Sequence, residues 1–491
     1  MILSIDEGTT GTHCYVFDEQ GRIAGSGYRE FVQHFPRPGW VEHDADEIWQ
    51  ATVEVAGEAL ADAKLDASAI RAVGLTNQRE TVVVWDRATG EPLHNAIVWQ
   101  DRRTAERCDE LKAQGAEDLV RERTGLVIDA YFSGTKIEWL LGNVEGLDAR
   151  ASKGEVCCGT IDAWLAFKLT GRAVTDASNA SRTMLFDIHA LRWDRELCEL
   201  LGVPEAALPE VVSSSGVVAE VMPDRLHGLR APLAGIAGDQ QAALFGQACH
   251  RRGLGKNTYG TGSFVLLNTG GRAAPASPGL VTTIAWKIGD QLDYALEASM
   301  FVTGSAVQWL RDGLGIIESA DETEALAASL DSNDDVYFVP ALTGLGSPYW
   351  DPYARGTIVG LTRGTGRAHL ARATLESIAY QTVDAVEAME RTSDERLEEL
   401  RVDGGAVANG WLMQFQADVL GRPVVVPEVS QTTALGAALL AGLGIGAWTR
   451  DDVGAGWHEA QRYEPTIGDD QRASLLGDWR RAVERSRGWA R

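Results

Sequence analysis

The chain has 491 residues, of which 45% are hydrophobic, and this is enough to bury the cores of two domains. It carries 45 Lys and Arg against 70 Asp and Glu, and the resulting net charge of −25 excludes nucleic-acid and anionic-membrane partners, because the long-range field repels phosphates. No apolar run approaches the roughly 20 residues of a membrane span, and Met1 leads directly into a predicted strand, so we expect a cytoplasmic protein.

The first predicted element is a hairpin with a glycine and threonine turn. Residues 2–5 and 14–17 are apolar and read as strands, and Asp6-Glu7-Gly8-Thr9-Thr10 lies between them. Half a chain later, residues 259–262 (Tyr-Gly-Thr-Gly) precede a similar strand at residues 264–267. Glycine permits close approach of the main chain to a phosphate, and threonine adds a hydroxyl beside the backbone N–H groups. The two segments therefore predict a pair of phosphate-binding turns that hold a nucleotide between them.

The rest of the chain alternates between helical and β-branched patterns. Residues 44–60 have a helical apolar face, and two strands follow at 70–75 and 81–85. Later strands at 336–339, 400–402 and 424–426 are separated by helices over 368–389 and 409–420. The fold class is therefore α/β, with mixed sheets flanked by helices. We place the domain boundary near residue 250, which gives domains 1–249 and 250–491.

Asp239 is the best candidate for a general base. It follows an apolar run at residues 233–238, so its side chain is expected to project from a strand end into a cleft, where partial desolvation raises its proton affinity. An N-cap for a helix over residues 240–245 explains an aspartate here equally well, and the residues alone leave both interpretations open.

A third glycine-rich segment covers residues 403–409, directly after the predicted strand at 400–402. Its small residues suit contact with adenine or ribose at a helix start, although a plain tight connection is the alternative. The chain has neither a GxxxxGK[ST] sequence nor a GxGxxG after its first strand, which excludes P-loop and dinucleotide-binding folds. The duplicated turns resemble instead the actin, hexokinase and Hsp70 fold, in which two ribonuclease H-like ATPase domains hold ATP in an interdomain cleft.

Six blocks of the sequence resemble the motif set of glycerol kinases, within the FGGY family of carbohydrate kinases. They are residues 38–44 (PGWVEHD), 76–81 (TNQRET), 99–103 (WQDRR), 133–136 (SGTK), 238–243 (GDQQAA) and 403–406 (DGGA). The resemblance extends from residue 1 to about residue 445. It implies a phosphotransferase with an alcohol acceptor, which uses ATP and Mg²⁺ to convert glycerol to sn-glycerol 3-phosphate, and it implies a homodimer or homotetramer.

The resemblance also implies roles for individual residues. Asp239 is the catalytic base and, with Asp6, a ligand of Mg²⁺, which prefers few carboxylates and several waters. The residues implied for the polyol are Arg79, Glu80, Trp99, Tyr131, Asp239, Gln240 and Phe264. The residues implied for ATP are Thr9, Thr10, Gly11, His13, Thr261, Gly304, Gln308, Gly405 and Asn409. In the polyol set, a guanidinium donates to hydroxyls, a carboxylate accepts from them, and aromatic rings cover the carbon chain.

Two residues depart from the glycerol kinase motifs. Glu7 stands where Gln is common, and His13 stands where many members carry an arginine near the phosphates. Histidine is largely neutral at pH 7, so His13 predicts nucleotide affinity that falls above about pH 7, unless it is simply a strand residue that faces solvent.

Two alternatives to glycerol phosphorylation are another polyol or ketose kinase of the family and a non-kinase ATPase of the actin or Hsp70 type.

Overall fold

A computed structural model describes residues 1–275 and 277–490. The strands are β1 (Ile2–Glu7), β2 (Gly11–Phe17), β3 (Ile23–Glu30), β4 (Glu42–His43), β5 (Ala72–Asn77), β6 (Val82–Asp86), β7 (Ala96–Ile97), β8 (Val156–Thr160), β9 (Val174–Asp176), β10 (Phe186–Asp187), β11 (Arg192–Trp193), β12 (Glu210–Val212), β13 (Ser215–Glu220), β14 (Pro232–Gly238), β15 (Leu254–Tyr259), β16 (Ser263–Gly270), β17 (Val281–Ile288), β18 (Gln291–Met300), β19 (Tyr337–Val339), β20 (Thr357–Val359), β21 (Glu399–Gly404), β22 (Val424–Pro427) and β23 (Glu459–Tyr463).

The helices surround these strands in the order expected for an α/β protein. They are α1 (Ala45–Asp62), α2 (Ala105–Ala113), α3 (Glu117–Thr124), α4 (Ser133–Asn143), α5 (Leu147–Ser152), α6 (Ile161–Thr170), α7 (Ala177–Ala180), α8 (Arg195–Leu200), α9 (Asp239–Gly246), α10 (Gly304–Gln308), α11 (Glu322–Ala328), α12 (Arg367–Ser393), α13 (Gly410–Leu420), α14 (Thr432–Gly444), α15 (Arg450–Ala455) and α16 (Asp469–Ser486). None of the helices in the described part of the chain combines the length and the apolar character that a membrane crossing requires.

The same strand arrangement occurs twice. In the first repeat, β1, β2 and β3 form an antiparallel meander, and β5 and β14 extend the sheet in parallel from β1. In the second repeat, β15, β16 and β18 form the meander, and β21 and β22 extend it in parallel from β15. The structure confirms the predicted α/β class with mixed sheets, and the duplicated turns occupy equivalent places in the two repeats.

The sheets of the two repeats are joined into one 13-stranded sheet. The connection runs through β13 and β17, which pair only at Ser215 and Ile288. Helix α14 also crosses between the repeats, because it packs on the first sheet although it follows the second in sequence. A Cβ at Gly74 would lie 2.3 Å from the carbonyl oxygen of Ala437, so the glycine lets α14 approach the β5 backbone closely.

The predicted elements before and after the turns are also present. Helix α1 begins after Asp44, whose carboxylate accepts from the backbone N–H of Asp46 at 2.9 Å, and its predicted apolar face is buried at Ile48 and Val55. The strands predicted at 70–75, 81–85, 336–339, 400–402 and 424–426 correspond to β5, β6, β19, β21 and β22, and the helices predicted over 368–389 and 409–420 correspond to α12 and α13.

Candidate active site

The two predicted phosphate turns close hairpins of the two repeats. In the first, between β1 and β2, the Gly8 N–H donates to the Gly11 carbonyl at 3.0 Å. In the second, between β15 and β16, the Gly260 N–H donates to the Gly262 carbonyl at 2.8 Å. Thr10 and Thr261 are exposed at the tips of these turns, and Thr9 is half-buried. The Thr10 and Thr261 side chains are therefore accessible to a ligand, whereas the N–H groups of Gly8 and Gly260 are already bonded within the turns.

Asp239 lies where strand β14 ends and helix α9 begins. Gly238 occupies the N-cap position, so Asp239 is the first helical residue and not the cap. Its carboxylate accepts from the Gln240 backbone N–H at 2.7 Å and lies 3.1 Å from the Nε of Arg79. Its side chain is 31% exposed, whereas that of Arg79 is 2% exposed. The carboxylate therefore reaches solvent from a largely buried setting, as a general base in a cleft requires.

The residues predicted for the polyol lie together around Arg79. The Nη2 of Arg79 donates to the Tyr131 hydroxyl at 3.4 Å, and its guanidinium lies 5.8 Å from the centre of the Phe264 ring. Trp99 packs edge to face on Tyr131 with ring centres 5.7 Å apart. The Nε1 of Trp99 donates to the Thr9 hydroxyl at 2.9 Å, so the aromatic wall is tied to the first phosphate turn.

Glu80 follows Arg79 in the connection between β5 and β6. It has a φ of 60°, which is uncommon for a residue with a side chain, and it is buried. Its Oε1 accepts from the Nε of Arg182 at 2.7 Å. Among the described residues its Oε2 has no hydrogen-bond donor, so that this oxygen is available to a substrate hydroxyl.

Two charged residues that contact Arg79 and Glu80, Glu297 and Arg182, were not predicted from the sequence. Glu297, on β18, accepts from both Arg79 and Arg182, and its side chain has no exposed surface. Burial alone would raise the pKa of Glu297, but Arg182 and Arg79 outweigh it and lower the pKa to about 2. The available signal was the carboxylate of Glu297 within the largely apolar segment 294–298 (YALEA) of β18, because a buried charge needs a partner.

Two buried lysines support the candidate site. The Nζ of Lys256, on β15, donates to the Oε1 of Gln240 and, at 2.7 Å, to the Thr258 hydroxyl. Gln240 then directs its Nε2 to the Oδ2 of Asp239 at 3.2 Å. The Nζ of Lys136 donates to three consecutive carbonyls, including that of Tyr131 at 2.7 Å. Burial lowers the pKa of each lysine to about 8.

Asp6 and Asp239 have the chemistry of a magnesium site. Burial, together with the negative charge of Asp239, raises the pKa of Asp6 to about 7. Within the described chain no side-chain or backbone donor binds the Asp6 carboxylate, whereas neighbouring Glu7 accepts from the Gln78 amide at 3.1 Å and 3.2 Å. Two carboxylates whose charges interact, one of them without a donor, fit a hydrated divalent cation, which needs few protein ligands.

The residues predicted for the adenosine side lie around the second turn. The Gly304 N–H donates to the Gly260 carbonyl at 3.1 Å, and a Cβ at Gly304 would lie 2.5 Å from that oxygen. Because this N–H is engaged, Gly304 lets α10 pack on the turn and does not offer a free donor at that position. Gln308 is exposed at the end of α10.

The glycine-rich connection after β21 combines a packed glycine with an open one. Gly404 has a φ of 89°, and a Cβ there would lie 2.2 Å from the Tyr259 carbonyl oxygen. Gly405 has no atom within 4 Å of its Cβ position, and this space fits a ligand. Asn409 caps α13, since its Oδ1 accepts from the Leu412 N–H at 2.9 Å. Its Nδ2 donates to the Thr323 hydroxyl at 3.3 Å, and its backbone N–H and carbonyl are bonded to Ala406 and Met413. An adenosine contact by Asn409 would therefore use the second hydrogen of Nδ2.

Gly11 and His13 belong to strand β2. A Cβ at Gly11 would lie 2.5 Å from the Arg29 carbonyl oxygen, so the adjacent strand β3 requires glycine there. His13 pairs with Asp6 in register and stacks on Tyr28 with ring centres 4.1 Å apart. Burial lowers the pKa of His13, so its ring is neutral at pH 7, and the expected pH dependence of nucleotide affinity moves to lower pH.

Comparisons with known proteins identify the family. Residues 1–246 match the model for the "FGGY family of carbohydrate kinases, N-terminal domain", and residues 255–445 match its C-terminal counterpart. The chain is 57% identical to "Glycerol kinase 2" of Thermotoga maritima over 491 residues, covering 99% of each chain. It is 58% identical to "Glycerol kinase" of Dechloromonas aromatica over 492 residues, covering 100% of this chain and 98% of the relative.

A solved structure with the same fold is that of Plasmodium falciparum glycerol kinase with ADP. It matches with a TM-score of 0.94 and 37% identity, covering 99% of this chain and 98% of the other. The chain belongs to the FGGY family of carbohydrate kinases.

Proposed function

We propose that this protein is a glycerol kinase, which transfers the γ-phosphoryl group of ATP to glycerol and releases sn-glycerol 3-phosphate and ADP. The observation that carries the proposal is the position of Asp239, 3.1 Å from Arg79, whose guanidinium lies beside the Tyr131 hydroxyl and the Phe264 ring, with Trp99 joining Tyr131 to the first phosphate turn. The names of the full-length relatives support glycerol as the acceptor.

Each residue of the acceptor site makes a different contact with glycerol. The four Nη hydrogens of Arg79 are engaged with Glu297, Gln241 and Tyr131, so Arg79 donates to one hydroxyl of glycerol in exchange for a long contact, that with Gln241 at 3.3 Å or with Tyr131 at 3.4 Å. The free oxygen of Glu80 accepts from another hydroxyl. Trp99, Tyr131 and Phe264 cover the carbon chain. The Asp239 carboxylate takes the proton of the terminal hydroxyl as its oxygen forms a bond to the γ-phosphorus, and the bond from that phosphorus to the bridging oxygen of ADP breaks.

The turn residues hold the nucleotide in this proposal. Thr9, Thr10, Gly11 and Thr261 bind the phosphates, while Gly304, Gln308, Gly405 and Asn409 line the adenosine side, with His13 near the phosphates. Asp6 and Asp239 are the residues that would hold Mg²⁺, which takes few carboxylates and several waters. The metal neutralises charge on the phosphate oxygens when it is bound.

We extend the proposal to the organisation of the chain. Residues 1–249 form the domain with the polyol site and the first phosphate turn, and residues 250–491 form the domain with the second turn and the adenosine site. The family-model matches, which end at 246 and restart at 255, support this division. The resemblance to glycerol kinases supports a cytoplasmic homodimer or homotetramer, which sedimentation of the purified protein tests.

Acceptor-dependent ADP release tests the function. The purified protein is assayed with Mg·ATP and, separately, glycerol, erythritol, xylulose, ribulose and gluconate. We expect the highest kcat/KM with glycerol. A higher kcat/KM with another acceptor would make that compound the substrate and the protein a different kinase of the same family. ADP release that no acceptor stimulates would contradict the assignment as a kinase.

The Asp239→Asn variant tests the base. We expect a loss of about 10²- to 10⁴-fold in kcat, because the amide cannot accept the proton. Asp469→Asn is the matched control, since Asp469 is also the first residue of a helix, after Gly468 at the N-cap, and its side chain is 97% exposed. Equal losses in the two variants would contradict the assignment of the base.

A further inference from the structure

Four charged side chains form a closed ring beneath the acceptor pocket. Arg79 binds Glu297 through both Nη atoms, and Arg182 binds Glu297 at 2.8 Å. Arg182 also binds Glu80 at 2.7 Å, and Glu80 lies 3.8 Å from the Nε of Arg79. All four residues are at most 3% exposed. A removed partner would therefore leave an uncompensated buried charge.

The ring joins the two halves of the chain. Arg79 and Glu80 follow β5, and Arg182 follows α7, so all three come from the N-terminal half. Glu297 comes from β18, where it pairs in register with Leu266 of β16, the strand that follows the second phosphate turn. The C-terminal half therefore supplies the carboxylate that both arginines bind.

Glu297 determines where Arg79 can point. Nη1 and Nη2 of Arg79 reach the two oxygens of Glu297, and this bidentate contact fixes the plane of the guanidinium. The Nε of Arg79 is then left facing Asp239, and Nη2 also faces Tyr131. Without Glu297, the nearest carboxylates for Arg79 would be Asp239 and Glu80, which the reaction needs for the proton and for the acceptor.

Glu297 also determines where Glu80 can point, through Arg182. One end of the Arg182 guanidinium binds Glu297 and the other binds Oε1 of Glu80, which leaves Oε2 of Glu80 for a hydroxyl. The Nη1 of Arg182 is buried and has no hydrogen-bond partner in the described structure, so these two carboxylates accept the side-chain hydrogen bonds that Arg182 makes there.

We propose that Glu297 is a positioning residue of the acceptor site, which orients Arg79 directly and Glu80 through Arg182. The inference rests on the proposed function, since it assumes that Arg79 and Glu80 bind the polyol. The acceptor site is then complete only when β18 of the C-terminal half lies against the N-terminal half.

The Glu297→Gln variant tests the inference, because glutamine keeps the shape and removes the charge. We expect the KM for glycerol to rise by about tenfold or more, with a smaller fall in kcat and with the KM for ATP changed by less than about twofold. Glu297→Asp keeps the charge on a shorter side chain and is expected to give a KM for glycerol between those of wild type and Glu297→Gln.

Glu376→Gln is the matched control. Glu376 is 2% exposed and is bound by Arg372 at 2.8 Å and by Asn333 at 2.8 Å, but it lies on α12 and not in the ring. It reports the effect of a neutralised buried glutamate on folding, and its KM for glycerol is expected to remain that of wild type. An unchanged KM for glycerol in folded Glu297→Gln would overturn the inference, as would equal increases in the two variants.

The double variant Glu297→Gln with Arg182→Met removes one charge of each sign. We expect its KM for glycerol to rise no more than about the larger single effect, because both residues act through the same ring. If Glu297→Gln alone does not fold, this charge-balanced variant carries the test, and a wild-type KM for glycerol in it overturns the inference.

Wild type is assayed beside the variants with every acceptor. If glycerol is not the preferred acceptor, the proposed function fails, and the KM comparison is made with the acceptor that is preferred.

Discussion

Behind the candidate base lies a second group of buried ionisable residues, which differs from the charged ring because it contains carboxylates and no arginine or lysine. Asp162 accepts from the hydroxyls of Thr160 at 2.5 Å and Thr175 at 2.7 Å. Asp176 accepts from the Ser178 hydroxyl at 2.9 Å, and the Ser178 oxygen accepts from the Gly238 N–H at 3.1 Å. The hydroxyl and backbone donors thus connect the buried carboxylates to the residue before Asp239.

Asp162 makes the stability of the protein depend on pH. Burial and the charge of Asp176 raise the pKa of Asp162 from its usual 3.8 to about 7. Between these values the folded protein holds a proton that the unfolded chain has released, so the contribution of Asp162 to stability is present below pH 3.8 and is lost as the pH rises to about 7. Each unit of this shift corresponds to about 1.4 kcal/mol.

Asp162→Asn is therefore expected to raise the melting temperature at pH 8, by an amount that corresponds to about 1 kcal/mol or more, and to change it less at pH 5. Asparagine is neutral at both pH values, and its amide can still contact the two threonine hydroxyls. Melting curves of both proteins at pH 5, 6.5 and 8 measure the difference. Asp469→Asn, at an exposed carboxylate, is the control, and an equal effect of Asp162→Asn at pH 5 and 8 would contradict the argument.

At the scale of elements, two adjacent glycines at the end of β21 have different roles: Gly404 is needed for packing, and Gly405 is expected to contact the nucleotide. Gly404→Ala places a Cβ 2.2 Å from the Tyr259 carbonyl at a positive φ, and we expect a loss of about 1–3 kcal/mol in the free energy of unfolding. Gly405→Ala adds a methyl group to open space, so we expect the melting temperature of wild type but a KM for ATP raised about threefold or more.

The two glycine variants serve as controls for each other. Melting curves and the KM values for ATP and glycerol are measured for both, and the KM for glycerol is expected to stay at its wild-type value in Gly405→Ala. A folded Gly405→Ala protein with the wild-type KM for ATP would remove Gly405 from the nucleotide site. An unchanged melting temperature in Gly404→Ala would contradict the close approach of β21 to β15.

The elements that could be predicted from the sequence are those that local chemistry determines. The hairpins follow from glycine turns between apolar strands, and α1 follows from Asp44 and an apolar face with helical spacing. The position of Asp239 at a strand end was also predicted, and the structure adds that Gly238 takes the cap position. The resemblance to glycerol kinases named Arg79, Trp99 and Tyr131 together, and the structure places Tyr131 against both Arg79 and Trp99. Of the three, only Arg79 adjoins a strand that was predicted from the sequence, β5.

The elements that could not be predicted depend on contacts between distant parts of the chain. Glu297 and Arg79 are 218 residues apart, and no spacing rule connects them. The junction of the two sheets at β13 and β17 is a single pair of residues, and α14 packs on β5 because of small residues in both elements. Such packing is decided by the tertiary fold and leaves little trace in local periodicity.

At the scale of the whole molecule, the net charge of −25 acts against the compact state. Many ion pairs lie on the surface, such as Arg195 with Glu199, whose side chains are 89% and 64% exposed. Exposed pairs of this kind contribute about 0–1 kcal/mol each and are weakened by salt. The excess of acidic residues repels over longer distances and is also screened by salt. Added salt weakens both the repulsion between acidic residues and the attraction within surface ion pairs. Because the excess charge extends over the whole molecule, we expect the weakened repulsion to have the larger effect on stability.

We therefore expect the melting temperature at pH 8 to rise by roughly 2 °C or more when NaCl is raised from about 0.05 M to about 0.5 M, because the screening length falls well below 10 Å. The control is the same titration at pH 5, close to the isoelectric point of about 4.8, where the net charge is small. There the long-range repulsion is absent and the surface pairs remain, so salt should leave the melting temperature unchanged or lower it. An equal rise at both pH values would attribute the effect to apolar burial, which salt strengthens independently of the charge of the protein.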